Sequence, residues 1–535
     1  MRARLLPTFA VLLAGVAQAA SMAMPLNGQP QWWLQILSLS VLCWQLTRCA
    51  EQLTSWSSST WSVDERRPDW QTGWKGAAWL GWTFATAWLA STFWWLFVSM
   101  HTYGGLPAAL AVLAVLGLAG ALALYYAAAC ALFFKLFFAH ADARLSWSAL
   151  VFAALWTLAE LARGVWFTGF PWGAAGYAHT GGPLAGYAPW LGVYGVGAVA
   201  AWAAFMLAGL LAGSGRSRWA TGLWLGIVFA VGLAAQWFGP AFTRSAGTQS
   251  VALLQGNIAQ NEKFQPGTGV ADALRWYGEQ LQANQSSLVV APETAIPMLP
   301  QQLPDGYWAA LQARFADGRQ AALIGVPLGS NAEDYTNAMV GLKPGQSQPY
   351  RYDKFHLVPF GEFIPPFFKW FLAMMNIPLG DFNRGTLAPP SFEWQGQRLA
   401  PNICYEDLFG EELGRRFVDE VTAPTIMVNL SNIGWFGNTL AIDQHLQISR
   451  MRALEFQLPM LRATNTGPTV VIDHRGQVTH SLPRHTRGVL EGVVEGRSGS
   501  TPFAMWVSRL GLWPVWILSL LVVALAAIVA RSRRR

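Results

Sequence analysis

The sequence predicts a polytopic α-helical membrane bundle of about eight spans joined to a water-soluble α/β domain. Three observations predict it. Of 535 residues, 53% are hydrophobic and only 12% charged, against roughly 25% charged in an average soluble chain. The apolar residues fall in runs long enough to cross about 30 Å of hydrocarbon. One stretch, 245–500, has instead an ordinary content of charged residues, Asn and Gln.

The apolar runs lie near 5–21, 31–47, 77–99, 107–134, 147–166, 187–212, 219–237 and 507–530. They divide the chain into a seven-span bundle over 1–240, the soluble domain over 245–500 and a C-terminal span over 507–530. The first run follows Arg2 and Arg4 and precedes "AQAA", so it also has the form of a secretory signal peptide. Retained or removed, it leaves the later topology unchanged. Lys and Arg in short loops set orientation. Arg2 and Arg4, then Arg48, Arg66, Arg67 and Lys75, then Lys135 and Arg144, then Arg216 and Arg218, then the terminal "RSRRR" fall on alternate ends of the spans. The loops "SMAMPLNGQPQ" and "HTYGGLP" carry none. Both termini are therefore expected in the cytoplasm, with the soluble domain on the other side. This asymmetry accounts for most of the net charge of +7, so no nucleic-acid partner is read into it.

In the soluble domain, "SVALLQGNI", "SSLVVAPET", "QAALIGVPLG" and "APTIMVNLSN" read as strands, and "GVADALRWYGEQLQ" and "WAALQARFADG" as helices. "YTNAMVGLKPGQSQPYRYDKFH" reads as a hairpin and "RLAPNICYEDLFGEELGRRF" as a strand followed by a helix. The alternation indicates an α/β domain with helices outside sheets. Glu293, Lys354 and Cys404 each follow a strand, where side chains distant in sequence converge on a ligand. A thiol, a carboxylate and an ammonium supply the nucleophile, base and oxyanion stabiliser of acyl transfer. Cys404 is the only cysteine of its domain, the other three being Cys43, Cys49 and Cys130 in the membrane part, so a disulfide scaffold is excluded. Its place ahead of a helix beginning near Tyr405 is expected to lower its pKa, through the macrodipole and Lys354. Asp407 is read as a dipole partner in that first turn. The eight histidines show no paired ligand spacing, so neither metal nor cofactor is implied.

"APETAIP", "YDKFHLVPFGE" and "NICYEDLFG", in that order, resemble the Glu, Lys and Cys motifs of the nitrilase superfamily. With the spans around them the chain resembles that superfamily's membrane-bound branch, the apolipoprotein N-acyltransferase family of the bacterial inner membrane. "FTGFPWGAAGY", "WFG", "QHLQISRMRALE" and "RATNTG" extend the likeness nearly end to end. The resemblance implies an αββα sandwich with Glu293, Lys354 and Cys404 as a triad and Glu362, Tyr405 and Glu406 as supporting residues. Phe264, where family members often carry Trp, keeps an aromatic wall without an indole N–H. Trp435 and Phe436 are read as apolar site residues that dip toward lipid. Ile433 and Gly434 stand where many members carry Asp-Ala, and no acid role is placed there.

The activity the resemblance implies is ping-pong transfer of an acyl chain. The donor is a phospholipid, usually phosphatidylethanolamine, the intermediate a thioester on Cys404. The acceptor is the α-amine of diacylglyceryl-cysteine on an apolipoprotein, reached from the periplasmic face. A membrane-anchored amidase releasing ammonia is the alternative, and a lipid-binding scaffold a third reading that the intact triad argues against. "FIPPFFKWFLAMMNIPLG" is read as an arm dipping into the outer leaflet. Glu160 and Arg163 lie one helical turn apart in the fifth span, a costly pairing in lipid, and stand as a functional or a structural pair.

Overall fold

A computed structural model describes residues 2–55, 70–138, 145–212, 216–330, 334–346, 348–365 and 382–532. Most of "FIPPFFKWFLAMMNIPLG", the arm expected at the membrane, lies outside them, as do Arg66, Arg67 and Arg144. The chain forms two compact units, one of Met1–Trp94, Val112–Pro240 and Leu512–Arg535, the other of Trp95–Ala111 and Ala241–Gly511.

The first unit is helical. Its long helices are α1 (Arg2–Met22), α2 (Trp32–Ser55), α3 (Trp70–Phe93), α4 (Ala108–Phe138), α5 (Leu145–Val165), α6 (Ala188–Ala212), α7 (Arg216–Phe238) and a C-terminal helix, Trp513–Ser532. Among the described residues five helices are long and apolar enough to cross a membrane, and α1 has a shorter apolar stretch. The apolar character of α2 and α3 is diluted by Gln, Thr and many Trp. Two predicted runs differ from the helices formed. The run over 77–99 stops being bundle after Trp94, because Trp95 finds its partners in the second unit. The run over 507–530 is broken at Gly511, whose φ of +56° favours glycine, so Pro502–Leu510 forms a helix of its own.

Inside the bundle Trp88, Tyr126 and Trp156 form one aromatic cluster, with Trp88 and Trp156 stacked at 5.9 Å. Glu160 and Arg163 project beside it and hold the loop carrying "FTGFPWGAAGY". Arg163 donates from Nε to the Tyr126 hydroxyl (2.9 Å) and from Nη1 to the carbonyls of Phe170 (2.5 Å) and Trp172 (2.8 Å). Glu160 Oε1 accepts from the Ala175 amide at 2.9 Å. The structural side of the sequence reading is the one these bonds support: buried loop backbone in an apolar bundle needs partners, and the pair supplies them. The loop's tight entry needs Gly169, at φ +77°, where a Cβ would sit 1.9 Å from the Gly164 carbonyl oxygen.

The second unit is a sandwich of two six-stranded sheets. Its strands are β1 (Thr243–Gln255), β2 (Leu288–Ala291), β3 (Ala321–Gly329), β4 (Tyr335–Leu342), β5 (Tyr350–Asp353), β6 (Phe392–Trp394), β7 (Gln397–Ile403), β8 (Ile426–Ser431), β9 (Met460–Thr464), β10 (Val470–Ile472), β11 (Val478–Ser481) and β12 (Gly488–Gly499). One sheet runs β12-β1-β2-β3-β4-β5 and the other β11-β10-β9-β8-β7-β6. The period-two alternation of strands decides the layers. Val251, Leu253, Val290 and Leu323 meet Leu399, Ile403, Val428 and Leu461 between the sheets. Their neighbours Ala252, Leu254, Val289 and Ile324 face outward under helices α8 (Ala271–Ala283) and α9 (Tyr307–Ala316). Met427 and Met460 of the other sheet pack with α10 (Leu440–Phe456) and α11 (Pro502–Leu510). The order is therefore αββα, with β1 and β12 paired antiparallel.

The bracing role of Arg163 has a measurable consequence. Arg163→Met strands two carbonyls and a hydroxyl in an apolar surrounding and should cost about 2–4 kcal/mol, seen as a lower thermal midpoint in detergent. Glu160→Gln keeps an acceptor for the Ala175 amide and should cost under about 1 kcal/mol. Equal midpoints for Arg163→Met and the parent would refute the bracing role.

Candidate active site

Each predicted triad residue sits just past a strand because the apolar alternation that holds the strand in the core stops there. Glu293 lies two residues beyond β2, Lys354 directly after β5, and Cys404 directly after β7. Since β2 and β5 belong to one sheet and β7 to the other, the sandwich brings the three together.

The two carboxylates and the ammonium are nearly buried: Glu293 is 7%, Glu362 6% and Lys354 1% exposed. Lys354 Nζ lies 2.9 Å from Glu362 and 3.7 Å from Glu293 Oε1. Asn337 Nδ2, from β4, donates to Oε1 of both Glu293 and Glu362 at 2.7 Å. The remaining oxygens accept from main chain, Glu293 Oε2 from the Asn432 amide (2.7 Å) and Glu362 Oε2 from the Val358 amide (2.8 Å). Burial alone would pull the Lys354 pKa down, but the Glu362 and Glu293 carboxylates outweigh it and raise it, so the ammonium stays charged.

The thiol behaves differently from the sequence expectation. Cys404 opens a short 3-10 turn, Cys404–Leu408, rather than an α-helix, so there is little macrodipole to act on it. Burial, reinforced by the Glu293 carboxylate, pushes its pKa up to about 12 against the lowering effect of Lys354 and of the Ser431 hydroxyl, which donates to Sγ at 3.3 Å. At rest the sulfur is a protonated thiol. Its backbone is left-handed, φ +51°, a conformation L-residues adopt only where the surroundings hold them.

Glu406 is 3% exposed and its contacts are those of a clamp. Oε2 accepts from the Ile403 amide (2.6 Å) and the Tyr352 hydroxyl (2.7 Å), and Oε1 from the amides of Phe355 (2.8 Å) and His356 (3.2 Å). It thereby ties the Cys404 turn to the segment after Lys354. Tyr405 packs its ring 5.3 Å from Phe409 and 5.6 Å from His356. Asp407, expected as a dipole partner in a helical first turn, is instead fully buried and faces Arg462 at 3.6 Å. Burial raises its pKa to about 6, opposed by Arg462 and Ser449. Composition alone cannot separate an acid at a helix start from an acid paired across a core.

The aromatic residues line up. Phe264 stacks on Trp435 at 6.4 Å, Trp435 meets Tyr103 edge-on at 6.0 Å, and Phe436 meets Trp95 at 4.3 Å. Trp435 and Phe436 are half-buried against these rings. Sequence reasoning missed several residues of the site. Asn337 gave no signal beyond being polar within an apolar strand. Lys263, the lysine beside Phe264, is 1% exposed and donates from Nζ to the Glu293 carbonyl at 3.0 Å. Burial lowers its pKa to about 7, against the opposing pull of Glu293 and Cys404. Among the described residues no cluster of His, Cys, Asp and Glu could hold a metal ion.

The described family models match in two parts, "Apolipoprotein N-acyltransferase N-terminal domain" over residues 14–206 and "Carbon-nitrogen hydrolase" over 250–502. A protein from Verminephrobacter eiseniae named apolipoprotein N-acyltransferase is 56% identical over 525 residues, 94% of this chain and 92% of its own. One of the same name from Ralstonia nicotianae is 45% identical over 508 residues, 94% of this chain and 90% of its own. A carbon-nitrogen hydrolase crystal structure from Helicobacter pylori covers 51% of this chain and 95% of its own at 15% identity and a TM-score of 0.35.

The pKa of the thiol has a direct readout. Alkylation of Cys404 by iodoacetamide, followed on its peptide by mass spectrometry, should climb about tenfold per pH unit from roughly pH 6 to 9. A plateau below pH 8 would mean a thiolate already formed.

Proposed function

The chain belongs to the apolipoprotein N-acyltransferase family, an enzyme of lipoprotein N-acylation in the membrane, and from that premise we propose a Cys404 thioester mechanism with a phospholipid as acyl donor. The observation that carries the proposal is the buried cluster of Glu293, Lys354 and Glu362, tied together through Asn337, beside a thiol whose pKa burial raises.

In the first half-reaction Cys404 Sγ attacks the ester carbonyl of the donor while Glu293 takes the thiol proton, so no free thiolate accumulates. The tetrahedral oxyanion faces Lys354, whose charge Glu362 keeps in place. The carbon–oxygen bond to glycerol then breaks, and Glu293 returns its proton to the departing lysophospholipid oxygen. A thioester remains. In the second half the α-amine of diacylglyceryl-cysteine attacks that thioester, Glu293 takes the amine proton, and the carbon–sulfur bond breaks. The proton goes back to sulfur and an amide is released.

Glu406 acts in this scheme as a positioning residue and Tyr405 as part of the turn beside the sulfur. Phe264, Trp435 and Phe436 offer an apolar wall to the acyl chain, which a hydrocarbon needs and ammonia-releasing amidase chemistry does not. A helical membrane part suits two lipid-anchored substrates. Phosphatidylethanolamine is the proposed donor. The charge asymmetry of the loops supports a periplasmic catalytic domain with both termini in the cytoplasm of a bacterial inner membrane.

Two outcomes test this. Incubation with a phospholipid labelled in its acyl chain should give a hydroxylamine-sensitive adduct that maps to Cys404, passes to a diacylglyceryl-peptide amine, and is absent in Cys404→Ser. Glu293→Gln should slow adduct formation by about 10² and Lys354→Ala by about 10² or more. Ammonia release from small amides without any adduct would favour the amidase. For topology, in a background without the four natural cysteines, Gln348→Cys should react with an impermeant maleimide in intact spheroplasts. Ser532→Cys should react only after lysis, and the opposite pattern would invert the proposed orientation.

A further inference from the structure

Beneath the Cys404 turn the second sheet departs from its own apolar pattern. Asn402, Asn429 and Arg462 stand side by side on β7, β8 and β9, since Asn402 pairs in register with Asn429 and Asn429 with Arg462. They occupy the outward face, alternating with Ile403, Val428, Leu430 and Leu461, which point between the sheets. On that same face Met427 and Met460 pack against apolar residues. Opposite this polar row α10 presents His445 and Ser449, four residues apart and so on one helical face. Arg462, His445, Asn429 and Ser449 are fully buried. A buried guanidinium is costly unless its bonds are well made, so the arrangement calls for a reason.

Its bonds converge on one atom. Arg462 Nη2 donates to His445 Nδ1 at 2.9 Å. That nitrogen must then hold the lone pair, so the ring proton sits on Nε2, which lies 3.2 Å from the Cys404 carbonyl oxygen and donates to it. Asp407 Oδ2 is farther from Nε2, at 3.8 Å. Burial and the adjoining Arg462 hold the His445 pKa well below its ordinary value, in keeping with a neutral ring. Arg462 Nη1 donates to Asn429 Oδ1 at 3.3 Å. This orients the amide so that its two protons go to Asn402 Oδ1 (2.6 Å) and again to the Cys404 carbonyl (3.2 Å). Nη1 also donates to the Ser449 hydroxyl at 2.9 Å, which in turn donates to Asp407.

We propose that Arg462 is a positioning residue for the nucleophile: through His445 and Asn429 it sets two donors on the Cys404 carbonyl and so holds the left-handed turn that aims the sulfur. The proposal rests on Cys404 being the nucleophile. Its physical content lies in peptide planarity. The Cys404 carbonyl and the Tyr405 amide share one rigid plane and point opposite ways, so fixing the carbonyl fixes that N–H and the rotation about the Cα–C bond of Cys404, a residue whose left-handed φ of +51° sets where Sγ projects. A carbonyl held by a single donor can swing about its axis. Two donors from two different elements, both oriented by one guanidinium, remove that freedom before substrate arrives.

The test compares His445→Leu, which keeps volume without a donor, with His445→Gln, whose amide nitrogen reaches the Nε2 position. Acyl transfer, thermal midpoint and iodoacetamide alkylation are measured in the full-length protein in detergent. His445→Leu should lower kcat at least tenfold with KM for the phospholipid within twofold, and His445→Gln should recover kcat to within about threefold. Arg462→Met should lose as much as His445→Leu, and the double variant no more than Arg462→Met alone, since both act through one carbonyl. Should Arg462→Met fail to accumulate, the His445 pair decides. Parental kcat in His445→Leu, or equal loss in Leu and Gln variants at unchanged midpoint, would overturn the proposal. Cys404→Ser runs in parallel: if it still transfers, the nucleophile reading itself fails. If it is inert while His445→Leu is unaffected, only the positioning role falls.

Discussion

Two carboxylates and an ammonium held together out of water are what the rest of the catalytic unit must be built to tolerate. An ion buried without partners costs several kcal/mol, and here both oxygens of Glu293 and both of Glu362 are bonded. The partners come from distant places: the Asn337 amide from β4, the Asn432 N–H just past β8, the Val358 N–H from the segment after Lys354. They coincide only if both sheets end at the same level, with β2, β5, β7 and β8 delivering their ends to one place. The condition that lets the site exist is thus the condition that preorganises it. The ammonium and the two carboxylates are thus held in place before any substrate arrives.

The same field sets the state of the thiol. Lys354 alone would draw Cys404 toward the thiolate, but burial and Glu293 weigh more heavily and the proton stays on sulfur. This fits a lone cysteine in a domain that leaves the reducing cytoplasm, as proposed above. A standing thiolate would be open to oxidation and to mixed disulfides, whose rates follow thiolate content and exposure. In the proposed mechanism the thiol ionises only as it attacks, into a base already waiting, and so avoids that exposure.

The parts legible in the sequence were those written in local pattern. Apolar runs of period two that stop at Glu293, Lys354 and Cys404 made the strand ends visible, and long apolar runs made the bundle visible. That two sheets pack face to face came from the resemblance, since alternation alone does not say how many sheets a domain has. β12 escaped notice because "GVLEGVVEGRSG" mixes glycine and acids into an edge strand whose identity depends on β1 beside it. The errors at Cys404 and Asp407 share one cause. A strand followed by "CYEDL" looks like a helix start, with acids for its dipole, whereas the acids in fact face Tyr352 and Arg462, residues 54 and 55 positions away by sequence number. The polar row on β7, β8 and β9 did leave a trace: "PNI", "VNL" and "LRA" each set one polar residue where the alternation calls for an apolar one.

Helix α10 links two requirements that the chemistry keeps apart. Its residue His445 reaches the Cys404 carbonyl, and the preceding residue, Gln444, accepts from the Trp95 indole at 2.9 Å. Trp95 in turn packs on Phe436, and its segment, Trp95–Ala111, leaves the helical unit to join the catalytic one. In the proposed mechanism an acyl chain along the aromatic wall presents its ester carbon within about 3–3.5 Å of sulfur. Adjacent residues of one helix thus bond both the Cys404 carbonyl and the ring that packs on Phe436. The insertion of residues 95–111 into the catalytic unit is then more than a loop between spans: it gives the wall an anchor on the same element that anchors the sulfur.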